Sequence, residues 1–107
     1  MNGVKEMKQV INGKLYDTET AKEICYYQYS YPQDLYYVYE GLYLKKNGEF
    51  FLYATGGPGS KYGIKTSCNG YGGSTQLMPL SIDEAKKFVE KYGTADQYIA
   101  LFGLPEE

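Results

Sequence analysis

The sequence predicts an α+β domain over residues 1–107: an antiparallel β-sheet built from hairpins, with an N-terminal helix and a C-terminal helical pair packed on one face. Three observations carry that expectation. Asn12-Gly13 and Asn47-Gly48 each stand between apolar runs, and an Asn-Gly pair accepts the positive φ angles that tight hairpin turns demand. Ala21, Ile24, Cys25 and Gln28 fall at helical spacing. Ser81-Ile-Asp-Glu84 and Thr94-Ala-Asp-Gln97 repeat one helix-capping arrangement in the last third of the chain.

Taken in order, Gln9-Val10-Ile11 and Lys14-Leu15-Tyr16 flank the first turn as a short hairpin. Asp17 or Thr18 can then cap a helix beginning near Glu19 and running into the tyrosines. From Tyr26 to Tyr39 the aromatic residues follow neither period, and Pro32 both removes a donor and restricts Tyr31. An ordered, irregular connector is the expectation there. In Glu40 to Ala54, Leu42 and Leu44 alternate with Tyr43 and Lys45, and Phe50, Leu52 and Ala54 with Phe51 and Tyr53, which predicts a longer second hairpin.

Seven of the thirteen glycines lie between Gly56 and Gly73, the signature of a long loop, with a brief strand over 62–66. Thr75 to Leu80 reads as extended. The capping box at Ser81 opens a helix whose buried stripe is Ile82, Ala85, Phe88, Val89 and Tyr92, closed by Gly93. A last short helix follows Thr94 and docks through Tyr98, Ile99, Leu101 and Phe102. With the helices on one face of the sheet, the other face is left for exposed tyrosines.

Composition points to binding rather than catalysis. Fourteen residues are tyrosine, nine of them between Tyr16 and Tyr43; all eleven basic residues are lysine and there is no histidine. Tyrosine offers a large rigid ring with one polar handle at little entropic cost, while the usual tools of acid–base and phosphate chemistry are missing. A net charge of −2 lays no basic footprint for duplex nucleic acid, and Asp34 and Glu40 beside the rings disfavour direct binding of single strands. No apolar run spans a bilayer, and Met1-Asn-Gly-Val-Lys5 lacks a signal peptide's apolar core, so the expectation is a soluble protein of a bacterial cytoplasm with free thiols at Cys25 and Cys68.

Several motifs carry chemistry only weakly. Gly56-Gly-Pro-Gly-Ser-Lys61 looks like part of a phosphate-binding loop, but Ser60 precedes Lys61 and no helix opens behind it, so a structural turn is expected. Two cysteines without histidine make a poor zinc set, and the acids at 17, 19 and 23 and at 83, 84 and 90 are explained by helix capping and the helix dipole. No catalytic, metal or cofactor residue is assigned. The expected partner surface is Tyr26, Tyr27, Tyr29, Tyr31, Tyr36, Tyr37, Tyr39 and Tyr43, with Tyr53, Lys61 and Tyr62 added from the second hairpin and the glycine-rich loop. The pairs Tyr26-Tyr27 and Tyr36-Tyr37 cannot all point inward, which requires some exposure.

Ile11-Asn-Gly-Lys-Leu-Tyr-Asp-Thr-Glu-Thr-Ala21, Glu40-Gly-Leu-Tyr-Leu-Lys-Lys-Asn-Gly-Glu-Phe-Phe-Leu-Tyr53, Gly56-Gly-Pro-Gly-Ser-Lys-Tyr62 and Met78-Pro-Leu-Ser-Ile-Asp-Glu-Ala85 together resemble a family of small proteins of Firmicutes phages and mobile elements. Some members are counted as anti-CRISPR proteins, inhibitors of RNA-guided nucleases. The resemblance implies a non-enzymatic inhibitor that binds a CRISPR effector nuclease or its guide-RNA complex, type II in the first instance, and it assigns no residue a chemical role. The rival expectations are a small nucleic-acid-modifying or phosphate-binding enzyme using Lys61, and a housekeeping interaction module of a mobile element, homodimeric through a sheet edge.

Overall fold

The computed structural model describes residues 6–107; the reading of Met1 to Lys5 as lacking a signal peptide lies outside the described residues. The chain opens with the expected short hairpin, β1 (Lys8–Ile11) and β2 (Lys14–Asp17), with Ile11 paired to Lys14. Asn12 and Gly13 take φ of 51° and 77°, the left-handed pair a two-residue turn requires.

The next element overturns an expectation. Residues predicted as the N-terminal helix form β3 (Lys22–Tyr29), the first strand of a four-stranded antiparallel sheet. Ile24, Tyr26, Tyr27 and Tyr29 are stiff or aromatic side chains that lose rotamer freedom in a helix and fit a pleated surface. Their period-two signal was hidden because the pairing with the next strand slips between Glu23 and Cys25, so alternation breaks where the helical spacing seemed to begin. The predicted irregular connector is correspondingly shorter, since Tyr26 to Tyr29 belong to the strand. With 43% of the described residues in strands and helix confined to two short C-terminal segments, the chain is mainly β and not the expected α+β arrangement with a helix at each end.

The second hairpin is as expected: β4 (Val38–Leu44) and β5 (Phe50–Gly56) pair in unbroken register from Val38↔Gly56 to Leu44↔Phe50. Gly48 sits at φ 93° in the turn, and Asn47 and Glu49 exchange side-chain and backbone hydrogen bonds across it. Between β5 and the last strand, the glycine-rich segment forms a small separate hairpin, β6 (Ile64–Ser67) and β7 (Gly70–Gly72). β8 (Ser74–Leu80) then pairs with β5, completing the order β3-β4-β5-β8.

α1 (Ile82–Tyr92) and α2 (Ala95–Phe102) follow, each with the reciprocal capping box expected at Ser81/Glu84 and Thr94/Gln97. They cover one face of the sheet, where Cys25, Leu42 and Phe50 meet Ala85 and Val89, and where Leu52, Ala54 and Tyr62 pack beside Phe88. Ile82 is 51% exposed, so the buried stripe of α1 is narrower than predicted.

The opposite face is not open. Tyr39, Tyr43, Phe51, Tyr53 and Leu77 point into it and are covered by the N-terminal hairpin, whose Tyr16 meets Phe51 edge-on at 5.5 Å. Lys14 and Lys45 both pair with Glu49, and the Lys45 ammonium lies 4.2 Å above the Tyr16 ring, tying β2 to the β4–β5 turn. The sheet is therefore packed on both faces, which a mainly aromatic strand such as Phe50-Phe-Leu-Tyr53 requires.

Candidate protein-binding surface

The structure divides the predicted tyrosine surface in two. Tyr37, Tyr39, Tyr43, Tyr53 and Tyr62 are buried and belong to the core, so they are withdrawn as direct contacts. Tyr39, Tyr43 and Tyr53 point inward because β4 and β5 lie in the middle of a sheet with cover on each face, and Tyr37 and Tyr62, on the flanking loops, join the two core clusters on those faces. Burial raises the pKa of Tyr39, Tyr43 and Tyr62 far above that of a free phenol, with hydrogen bonds to Glu23 and Glu40 adding to the effect at Tyr39 and Tyr62. Tyr27 is half-buried, packed at 4.8 Å on Tyr92 of α1. Lys61 is exposed, but its ammonium pairs at 2.8 Å with the buried Glu40 carboxylate, which Tyr62 also contacts.

The remaining rings form a surface. Tyr26, Tyr29, Tyr31 and Tyr36 are 49%, 55%, 59% and 58% exposed, and Leu35 among them 59%. Tyr26 stacks at 5.3 Å on Tyr39 at the sheet; the others sit at the end of β3 and on the connector to β4. Large side chains left about half exposed or more over this short stretch of chain mark a candidate contact region.

One acid organises the connector. The Ser30 hydroxyl donates to Asp34 at 2.5 Å and the Tyr36 amide donates to its other oxygen at 2.8 Å, while the Asp34 amide donates to the Tyr31 carbonyl at 2.9 Å. These bonds favour the carboxylate and lower the pKa of Asp34. Ser30 holds φ of 65°, a left-handed turn that swings the chain off the strand, and Gln28 reaches its carbonyl at 3.1 Å.

The glycine-rich loop braces the connector from behind. Gly57 and Gly59 donate backbone bonds to the carbonyls of Tyr37 and Leu35 at 2.9 and 2.7 Å. A Cβ on Gly59 would stand 2.7 Å from the Tyr36 ring, and one on Gly57 2.6 Å from the Leu35 carbonyl oxygen, so only glycine permits this approach. Ser60 closes the loop by donating to the Gly57 carbonyl and accepting from the Tyr62 amide. The segment that looked like a phosphate loop thus works as a structural turn beneath the exposed rings. Beside it lies a cleft of about 340 Å³ floored by Tyr37, Tyr53, Thr55 and Thr75 and edged by Pro32 and Pro58, with no charged lining residue.

Sequence reasoning missed Leu35 and Asp34. The usable signal was local: Ser30 and Asp34 around a proline are turn formers, and an apolar residue inside such a turn has nowhere to be buried. Among the described residues no group of three or more His, Cys, Asp or Glu is placed to hold a metal ion, and both cysteines are free. No helix among the described residues is long and apolar enough to cross a membrane.

Comparisons with protein-family models, curated proteins and solved structures found no match to this chain in any of the three.

Proposed function

We propose that this protein is a non-catalytic inhibitor that acts by binding, with Tyr29, Tyr31, Leu35 and Tyr36 as its contact surface and the neighbouring uncharged cleft as the seat for an apolar side chain of the partner. The observation that carries this reading is the bracing of the connector: the backbone that presents Tyr31, Leu35 and Tyr36 to water is held by Asp34 and two glycine amides, so it loses little freedom when a partner covers it. The partner is named through the sequence resemblance, as an RNA-guided CRISPR effector nuclease of type II in a bacterial cytoplasm. Engagement of Lys61 by Glu40 weighs against the rival phosphate-binding enzyme.

The test is titration of effector nuclease with purified protein. Inhibition should saturate near one inhibitor per effector, with a complex that survives gel filtration. Tyr31→Ala with Tyr36→Ala should weaken it by at least about tenfold, as expected for aromatic anchors. Full inhibition at a small fraction of one inhibitor per effector, or unchanged binding by the double variant, would reject the reading.

A further inference from the structure

The chain holds four Asn-Gly pairs; Asn2-Gly3 lies outside the described residues, and the fold treats the other three, which stand in hairpin turns, differently. Asn-Gly is the dipeptide in which the following amide nitrogen most easily attacks the asparagine side chain, because glycine has no Cβ to obstruct it. At Asn47 both partners are engaged: the side-chain amide donates to Glu49 at 3.1 Å, its oxygen accepts from the Glu49 amide at 3.0 Å, and the Gly48 amide donates to the Lys45 carbonyl at 2.9 Å. At Asn12 the pair is locked in a left-handed turn closed by Ile11 and Lys14, on a hairpin anchored in the core by Tyr16.

Asn69 has neither restraint. It sits in the turn between β6 and β7, it is exposed, and no hydrogen bond holds its side chain among the described residues. β6 has no buried residue, and its register with β7 slips between Lys65 and Ser67, so this hairpin opens at little cost. Thr66 and Ser67 place hydroxyls next to Gly70, 3.1 and 2.8 Å from where its Cβ would be.

We propose that, of the three Asn-Gly pairs in hairpin turns, Asn69 is the preferred site of spontaneous deamidation through a succinimide. The Gly70 nitrogen forms a bond to the Asn69 side-chain carbonyl carbon and gives up its proton, and the side-chain nitrogen leaves as ammonia. Water then opens the five-membered ring at either carbonyl, leaving aspartate or isoaspartate. The product is one unit more negative at a hairpin carrying Lys65 and the exposed Tyr71.

Folded protein incubated in mildly alkaline buffer and mapped by peptide mass spectrometry tests this. Of the three hairpin sites Asn69 should convert first, at least about tenfold faster than Asn47, whose hydrogen bonds must break before it reacts. In urea the three sites should converge, since only the fold separates them, and Asn69→Gln should remove the acidic species that peptide mapping assigns to the 64–72 hairpin. Faster conversion at Asn12 or Asn47, equal rates in the folded protein, or a ranking unchanged by urea would overturn the proposal.

Discussion

Glu40, 5% exposed in the middle of β4, accepts a hydrogen bond from the Tyr62 hydroxyl across the helix-side core. Tyr62 follows the glycine-rich loop, so this bond and the adjacent Lys61 pair pin that loop to the sheet, and through it the connector carrying the exposed rings. A buried carboxylate is costly unless its oxygens are matched, and removing one partner exposes that cost.

Tyr62→Phe should therefore destabilise the protein by about 1–3 kcal/mol, although it changes one atom, because the Glu40 carboxylate is left with less compensation in a desolvated site. Glu40→Gln should cost a similar amount. Urea denaturation of the two single variants and the double variant gives the coupling between them; additive effects would show that the contact carries no weight.

Buried and exposed tyrosines should separate cleanly by stability. Tyr53→Ala and Tyr39→Ala empty core positions that are 1% and 0% exposed and should cost about 3–5 kcal/mol. Tyr36→Ala and Tyr31→Ala should stay within about 0.5 kcal/mol of the parent, since their rings face water. Chemical denaturation midpoints of the four variants measure the contrast.

The Glu49 cluster supplies a pH signature. Hydrogen bonds from Lys14, Lys45 and Asn47 hold the Glu49 carboxyl down to about 2 from an ordinary 4.5. A depressed carboxyl contributes stability that is present above its unfolded value and lost as pH falls through its folded value. The difference in denaturation midpoint between the parent and Glu49→Gln should be constant near neutrality and shrink between 4.5 and about 2. Salt should reduce it, since the cluster lies at the surface.

Thiol chemistry should distinguish the two cysteines. Burial, reinforced by Glu23, pushes the Cys25 thiol up to about 11, while Cys68 is exposed in the β6–β7 turn. A thiol reagent should label Cys68 quickly and Cys25 only after unfolding. Rapid labelling of both in native buffer would contradict the packing described for β3.

At the sheet edge, the Gln97 side chain donates to the Ile24 carbonyl at 2.8 Å while its oxygen accepts from the Thr94 amide. Gln97→Glu keeps the capping acceptor and loses the donor, so it should cost about 1–2 kcal/mol and speed amide exchange in the first half of β3. The exchange is read by hydrogen–deuterium mass spectrometry.

How much of this was legible depended on whether the signal was local. Asn12-Gly13, Asn47-Gly48 and the two capping boxes act through neighbours a few residues away, and each stands where the residue types placed it. β3 was not legible, because the slip at Glu23/Cys25 erased its alternation and only pairing with β4 supplies the missing reason for a strand. The candidate surface was half legible: the excess of rings implied exposure, yet nothing in the order Tyr36-Tyr37 says which of the pair is buried.

By itself the sequence determined the turns of the first two hairpins, the strands of the second and both C-terminal helices, since these follow from φ preference, alternation and capping within short windows. Tertiary structure alone decided that the N-terminal hairpin covers the second face of the sheet and that Tyr39, Tyr43 and Tyr53 lie beneath it while Tyr29, Tyr31 and Tyr36 stay in water. The reason is that an aromatic ring gains the same free energy against any apolar neighbour, so its burial is set by which distant segment arrives to cover it.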